Sequence, residues 1–200
     1  MTEQTAGRRI VTNMSLSLDG RYQGPGDPQD MGWVMPYAVT DVARDHLTSL
    51  WEPATTALLG RVNAEGFLGF WPTVIGMEGA DPRDEGFAKW LVDTDKVVLS
   101  STLGEAPWER TTIVDKPTAE VVEDLKASEG GDILVLSSAS VIKALLAADQ
   151  VDRLSMMVFP VFLSGGPRLF EDGLPSGQWT LASHAAGEHG ELSLVYDRVR

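Results

Sequence analysis

The residues best suited to chemistry stand at a few short corners, where an apolar run gives way to small or polar side chains. In LLGRVNAE, residues 58–65, Gly60 lets backbone turn tightly or approach a ligand. Arg61 puts a permanent cation at the end of the run, and Asn63 can cap a following helix whose first N–H groups face an anion. That combination suits a phosphate; taken alone, the segment reads equally well as a surface arginine beside an ordinarily capped helix. A second corner, ILVLSSASVIKALL (residues 133–146), turns through Ser137, Ser138, Ala139 and Ser140 into helical spacing from Val141. Serine hydroxyls donate to anions and also cap helices, so this corner is either a ligand site or a cap alone. Corners that hold a pyrophosphate usually carry glycine there. VLSSTL offers Ser100, Ser101 and Thr102 in the same setting, and SLDG supplies Asp19, the carboxylate placed to orient a substrate or relay a proton.

Composition narrows the chemistry. The chain of 200 residues carries 16 basic and 29 acidic side chains, a net charge of −13, and no run of lysine or arginine offsets it. Nucleic acid is therefore not an expected partner, and a site for an anionic cofactor must draw local positive potential from a few arginines and helix starts. The absence of cysteine excludes disulfides, thiolate metal sites and cysteine nucleophiles. His184 and His189 flank AAGEH in a turn without a third ligand nearby, and no metal is assigned. No apolar run spans a bilayer and the N-terminal MTEQTAGRR lacks an apolar core, so the expected location is cytoplasmic, and the Asn13-Met14-Ser15 glycosylation match is idle.

The elements that must hold these corners follow from periodicity. RRIVTNMSLSLDG reads as a strand ending at the turn Asp19-Gly20, and residues 21–35 as a loop with Trp33 lying across a pocket mouth. Helical spacing runs from Tyr37 to Trp51; TTALLG is a buried strand, with a helix from Asn63 to near Pro72. A loop over TVIGMEGADPRDE leads to a short helix around FAKWLV. KVVLSS, TTIVD and ILVLSS are strands, with AEVVEDLKA and SVIKALLAA as helices. LSMMVFPVFL, WTLASHAA and ELSLVYDRV then read as strands without intervening helices; Leu192, Leu194 and Tyr196 alternate with Ser193, Val195 and Asp197, as in a half-exposed antiparallel strand. The pattern predicts one α/β domain over residues 1–200, disordered over 1–8. Its mixed, mostly parallel central sheet carries helices on both faces and a C-terminal antiparallel hairpin. Ligands on such sheets bind beyond the carboxyl ends of the parallel strands.

The order of these motifs resembles the dihydrofolate reductase-like superfamily: strand-SLDG, LLGR with Asn63-Ala64-Glu65, KVVLSSTL, a corner and helix ending LLAADQVDRL, then PVFLSGGPRLF. More closely it resembles the reductase domain of bacterial riboflavin biosynthesis and its single-domain relatives, over nearly the whole chain from Arg9 to Arg200. The resemblance implies a dihydrofolate reductase-like three-layer sandwich. It also implies NADPH across the strand ends: Arg61 with Ser100, Ser101 and Thr102 at the adenosine 2′-phosphate, Gly60 and the helix from Asn63 at the pyrophosphate. Ser137, Ser138, Ala139, Ser140 and Val141 would close on the pyrophosphate and nicotinamide. Asn13, Ser15 and Asp19, with Trp33 and Phe67, would line the substrate half.

The implied activity is NADPH-dependent reduction of a pteridine-like or ribitylamino-pyrimidine-like small molecule, as in 5-amino-6-(5-phosphoribosylamino)uracil reductase or dihydrofolate reductase, by a homodimer. The alternative is a non-catalytic nucleotide- or ligand-binding dimeric module that keeps the fold; a pocket for another aromatic or flavin-like ligand is a third reading. The chain departs from the family pattern in two main ways. Serines replace glycines at 137 and 138, and Arg153 follows the aspartate of the VD pair where an acidic residue is usual. Without cysteine there is no fused zinc deaminase. Gly165-Gly166-Pro167 reads as a structural turn first, with backbone approach to a cofactor second.

Overall fold

The computed structural model describes residues 7–26 and 31–200. Its strands are β1 (Ile10–Ser17), β2 (Ala54–Gly60), β3 (Asp95–Leu99), β4 (Thr111–Val114), β5 (Asp132–Leu136), β6 (Arg153–Phe159), β7 (Gln178–Ala186) and β8 (Leu192–Val199). They form one sheet in the order β4-β3-β2-β5-β1-β6-β8-β7. Pairing is parallel from β4 through to β6 and antiparallel where β8 joins β6 and β7. The helices are α1 (Met35–Ala38), α2 (Asp41–Trp51), α3 (Arg61–Phe70), α4 (Pro82–Asp93), α5 (Thr118–Ala127) and α6 (Ala139–Ala147). This is the expected three-layer α/β sandwich.

Alternation along the strands sorts the core into two layers, because successive side chains point to opposite faces. Ile10, Met14, Leu58, Ile133 and Val135 pack under α5 and α6 with Val122, Ile142 and Leu145. Val11, Ala57, Leu59, Leu134 and Leu136 pack under α2, α3 and α4 with Leu50, Leu68, Phe87 and Leu91. β5 is buried along its whole length, as a strand covered on both faces must be. Phe87 anchors the second layer: its ring lies 4.6 Å from Trp71 and 5.7 Å from Trp90, centroid to centroid. β7, at the sheet edge, is exposed at nearly every position.

Several boundaries differ from expectation. The run from Tyr37 to Trp51 is broken at Thr40, whose extended backbone caps α2 and whose hydroxyl accepts the Ala43 N–H. α4 starts at Pro82, well before FAKWLV, capped by Asp81 with Asp84 and Glu85 in its first turn. β6 stops at Phe159, before Pro160, which has no N–H to donate. In β8 the alternation holds, yet Ser193 and Val195 are the buried positions and Leu192 is exposed. The cause is α2, which packs on the serine side and places His46 Nδ1 2.7 Å from Ser193 Oγ.

Of residues 1–8, for which disorder was expected, 1–6 lie outside the described residues. Arg8 departs from that expectation. It is buried, and its guanidinium donates to the carbonyl of Gly131 and to the hydroxyls of Ser128, Thr55 and Thr56. Burial without a carboxylate in contact lowers its pKa. Lys96, also buried, donates to the carbonyls of Leu91, Val92 and Thr94 and so closes the C-terminal end of α4.

Candidate active site

The connection β2–α3–β3 runs over one face of the sheet, and β5–α6–β6 over the other. β2 and β5 are neighbours, so their carboxyl ends form a topological switch point, the place where open α/β sheets bind ligands. Both helices begin there. α3 has Gly60 at its N-cap and α6 has Ser138, and neither start has a side-chain cap, which leaves the leading N–H groups of both available.

Ser138 is almost fully buried and holds the two ends together. Its hydroxyl accepts the Gly60 N–H at 2.9 Å and donates to the Leu136 carbonyl at 2.9 Å. The serine at the cap position therefore does not cap; its oxygen is spent across the crevice. Gly60 also lies against Ser140 and Val141, where an added Cβ would come within 3.7 Å of Ser140 Oγ and 3.6 Å of Val141 Cγ2. Val141 and Ala139 give their side chains to the core, while Ser140 is exposed. Ser137 adopts φ 46°, the left-handed region that costs a non-glycine residue of order 1–2 kcal/mol. Its N–H donates to the Asn13 carbonyl at 2.9 Å, tying the turn to β1.

Arg61 is the first residue of α3, half-exposed at the rim, and its Nη1 donates to both carboxylate oxygens of Glu65 at 2.9 and 3.0 Å. Asn63 differs from expectation: the helix has already begun at Arg61, so Asn63 is its third residue and caps nothing. Beside them, Leu99 pairs with Gly60, so Ser100 to Thr102 leave the sheet next to Arg61. Ser100 Oγ accepts the N–H groups of Thr102 and Leu103, and Ser101 and Thr102 are exposed.

On the other side β1 is paired to β5 only as far as Asn13↔Leu136, while it stays paired to β6 through Ser17. Beyond Asn13 the β5 side of β1 opens onto the crevice. Asn13 and Ser15, both half-buried, share the face that carries Val11 toward α2 and α3. Trp33 packs edge-on against Phe159, ring centroids 5.9 Å apart, and Tyr37 stacks on the same ring at 5.0 Å. Trp33 Nε1 is buried without a hydrogen-bond partner. Trp33 thus stands near the end of β1, as Phe159 pairs with Ser17. Phe67 is edge-on to Phe87, ring centroids 6.4 Å apart, and packs against the second core layer.

Across the carboxyl edge the order is therefore Ser100–Thr102, Gly60–Arg61, Ser137–Ser138, Asn13–Ser15, then Trp33. A RibD C-terminal domain model matches residues 8–191. The chain belongs to the RibD C-terminal domain family. The uncharacterized protein YyaP of Bacillus subtilis (strain 168) is 25% identical over 196 residues, covering 98% of each chain. Among solved structures, a putative riboflavin biosynthesis protein from Shewanella sp. PV-4 superposes with a TM-score of 0.71 at 20% identity, over 96% of this chain and 99% of that one. Dihydrofolate reductase from Enterococcus faecalis, complexed with NADP(H), superposes with a TM-score of 0.59 at 16% identity, over 96% and 97% of the two chains. At such identities the superpositions establish the fold.

In this RibD C-terminal domain the left-handed turn at residue 137 is made by a serine. Arg153, the other departure, pairs with Asp197 on β8 through two bonds of 2.7 and 2.9 Å, and the two residues are in register. The preceding Asp152 accepts the Ile10 N–H and pairs with Lys126 and Arg200. The VD pair is thus a fastening at the amino end of β1 and β6, away from the crevice.

Asp19 is also a fastening. Its carboxylate accepts from Ser17 Oγ at 2.7 Å, Arg21 Nε at 2.6 Å, and the N–H groups of Leu163 and Ser164 at 3.1 and 3.2 Å. The Ser17 hydroxyl first, then the Leu163 N–H and Arg21, hold it ionised far below the ordinary carboxylate range. A carboxylate so held carries no proton to donate at neutral pH, and its four contacts position the two loops around it. Around it the loop after β1 is clasped to the loop after β6: Leu18 N–H donates to Val161 O, Leu169 N–H to Gly20 O, and Arg21 to Gly166 O. A Cβ on Gly166 would come within 2.3 Å of the Gln23 carbonyl, so the glycine turn is a packing seat for the opposite loop.

His46 carries no local signal of a special setting in the sequence. On the buried side of α2 it is 5% exposed, with Nε2 lacking a hydrogen-bond partner, and burial pushes its pKa down to about 4. Two cavities lie away from the crevice. One of about 260 Å³ is lined by Leu146, Phe170, Trp179 and Arg198, and one of about 470 Å³ lies between Thr40 and the β7–β8 turn. No cluster of metal-ligating side chains occurs among the described residues, and none of their helices is long and apolar enough to cross a membrane.

Proposed function

We propose that the protein is a single-domain, NADPH-dependent reductase acting in the cytoplasm on a pteridine-like or ribitylamino-pyrimidine-like molecule. The observation that carries this reading is the juxtaposition of two helix starts without side-chain caps, α3 and α6, joined through the Gly60–Ser138 hydrogen bond. Anions are drawn to such starts, and in a chain of net charge −13 this crevice with Arg61 at its rim is a local exception.

The residues fit the cofactor. The N–H groups opening α3 and α6 would hold the pyrophosphate, with Ser140 close by. Arg61, with the exposed Ser101 and Thr102, would take the 2′-phosphate. The open β5 side of β1 near Ser15 offers unpaired backbone polar groups to a carboxamide. When bound, NADPH supplies the hydride. The chain aligns the acceptor against it, with Asn13 and Ser15 as polar contacts and the Trp33–Phe159–Tyr37 stack as an apolar wall that excludes water. Asp19 holds the two loops at that end.

Fluorescence titration with NADPH tests the reading. Saturable quenching that weakens at least ten-fold in Arg61→Ala supports it; no binding at millimolar NADPH refutes it. The second reading, a non-catalytic dinucleotide-binding module, is favoured by the saturated Asp19, which leaves the substrate half without an evident acid. Cofactor binding without turnover of any pteridine or aminopyrimidine would select it. Either way we propose a homodimer that meets through the exposed β7 edge, and sedimentation showing a 21.6 kDa species alone would count against it.

A further inference from the structure

Arg61 occupies an electrostatically awkward place. A cation at the first position of a helix opposes the positive end of the macrodipole, and no side chain caps α3 to offset it. The compensating charge is Glu65, one turn on, whose carboxylate takes both of its contacts from Arg61 Nη1. The order of the pair is the less favourable one, since an acidic residue four positions before a basic one is what a helix prefers. Helix stability alone therefore explains the arrangement poorly. Both side chains are nearly half-exposed, at 42% and 46%, so the pair is weak and solvent-screened. Only Nη1 is engaged; Nε and Nη2 make no hydrogen bond among the described residues and remain open to a second acceptor.

We propose that Glu65 sets the preference of this site between phosphorylated and unphosphorylated dinucleotide, by competing with the adenosine 2′-phosphate for the Arg61 guanidinium. The proposal rests on the cofactor reading above. A 2′-phosphate dianion approaching the open Nε and Nη2 of Arg61 meets the Glu65 carboxylate already held on the neighbouring Nη1, and must displace it or bear its repulsion. A ribose 2′-hydroxyl meets no such conflict: it donates to Glu65 while Glu65 stays on Arg61. Glu65 thus taxes NADPH and spares NADH, and the native chain discriminates between them less than a free arginine would. An exposed pair of this kind is worth about a two- to five-fold change in an equilibrium constant.

The experiment measures dissociation constants of NADPH and NADH for the native chain, Glu65→Gln, Arg61→Ala and the double variant, with circular dichroism to verify the fold. Glu65→Gln should raise the preference for NADPH about two- to five-fold, chiefly by tightening NADPH, and should leave the preference unchanged in the Arg61→Ala background. Higher salt should shrink the effect. An unchanged preference in Glu65→Gln overturns the proposal while leaving cofactor binding intact, as does an equal shift with and without Arg61. Failure of the native chain to bind either cofactor is a separate outcome and overturns the cofactor reading together with this one.

Discussion

Replacing Ser138 by alanine removes a single oxygen, yet that oxygen fastens β2 to β5. It is 1% exposed at the residue level, accepts the Gly60 N–H and donates to the Leu136 carbonyl, both at 2.9 Å. Two hydrogen bonds worth about 0.5–1.5 kcal/mol each are lost, and the penalty for a buried N–H left without a partner, about 1–3 kcal/mol, overlaps with the first of them. The sum is about 2 kcal/mol. For a chain of this length that corresponds to a fall in Tm of about 4–8 °C. Urea denaturation gives the stability change, and amide hydrogen exchange locates it: protection should fall at Gly60 more than at core amides of β5. Ser140→Ala is the control, since Ser140 is exposed and its hydroxyl makes no hydrogen bond among the described residues; it should stay within about 0.5 kcal/mol of the native chain. If Ser138→Ala matches that control and Gly60 exchange is unaltered, the hydroxyl does not hold the crevice, and the account of the two helix starts loses its central fastening.

Ser137→Gly should stabilise the protein by about 0.5–1 kcal/mol: relief of the left-handed backbone, about 1–2 kcal/mol, exceeds the added freedom of the unfolded chain, about 0.4–1 kcal/mol. A denaturation midpoint lower than the parent's would contradict the strain assigned to this residue. His46 makes stability depend on pH. Its pKa falls from 6.5 to about 4 on folding, so the unfolded chain binds the extra proton first, and stability is full above pH 6.5 and declines as pH drops toward 4. The fully developed loss is about 3 kcal/mol, read as a falling urea midpoint between pH 7 and pH 4, and His46→Asn should flatten that slope.

Much of this fold is legible in residue order because its crossovers are local: apolar runs, helical spacing and turn residues mark the alternation of strands and helices, and the corners then fall at one edge of the sheet. The start of α4 was legible too, since Asp81, Pro82 and two acidic residues form a helix-start signal that a loop-like composition obscured. What the chain's order hides is what tertiary contact decides. The left-handed turn at Ser137 is imposed by the Asn13 carbonyl and by the fastening at Ser138; serine itself has no preference for it. His46 meets a partner 147 residues away, and Asp19 finds two of its donors 144 and 145 residues on. No local pattern distinguishes such a carboxylate from one free to act on a substrate.

The clasp centred on Asp19 makes the substrate-side rim a single jaw built from two distant stretches of chain. A change in the segment 18–24 is transmitted to 161–169 through shared backbone hydrogen bonds and the glycine seat. Reshaping this pocket for a new acceptor therefore requires varying both stretches in concert, and a library confined to either one will mostly yield loosened loops instead of altered selectivity.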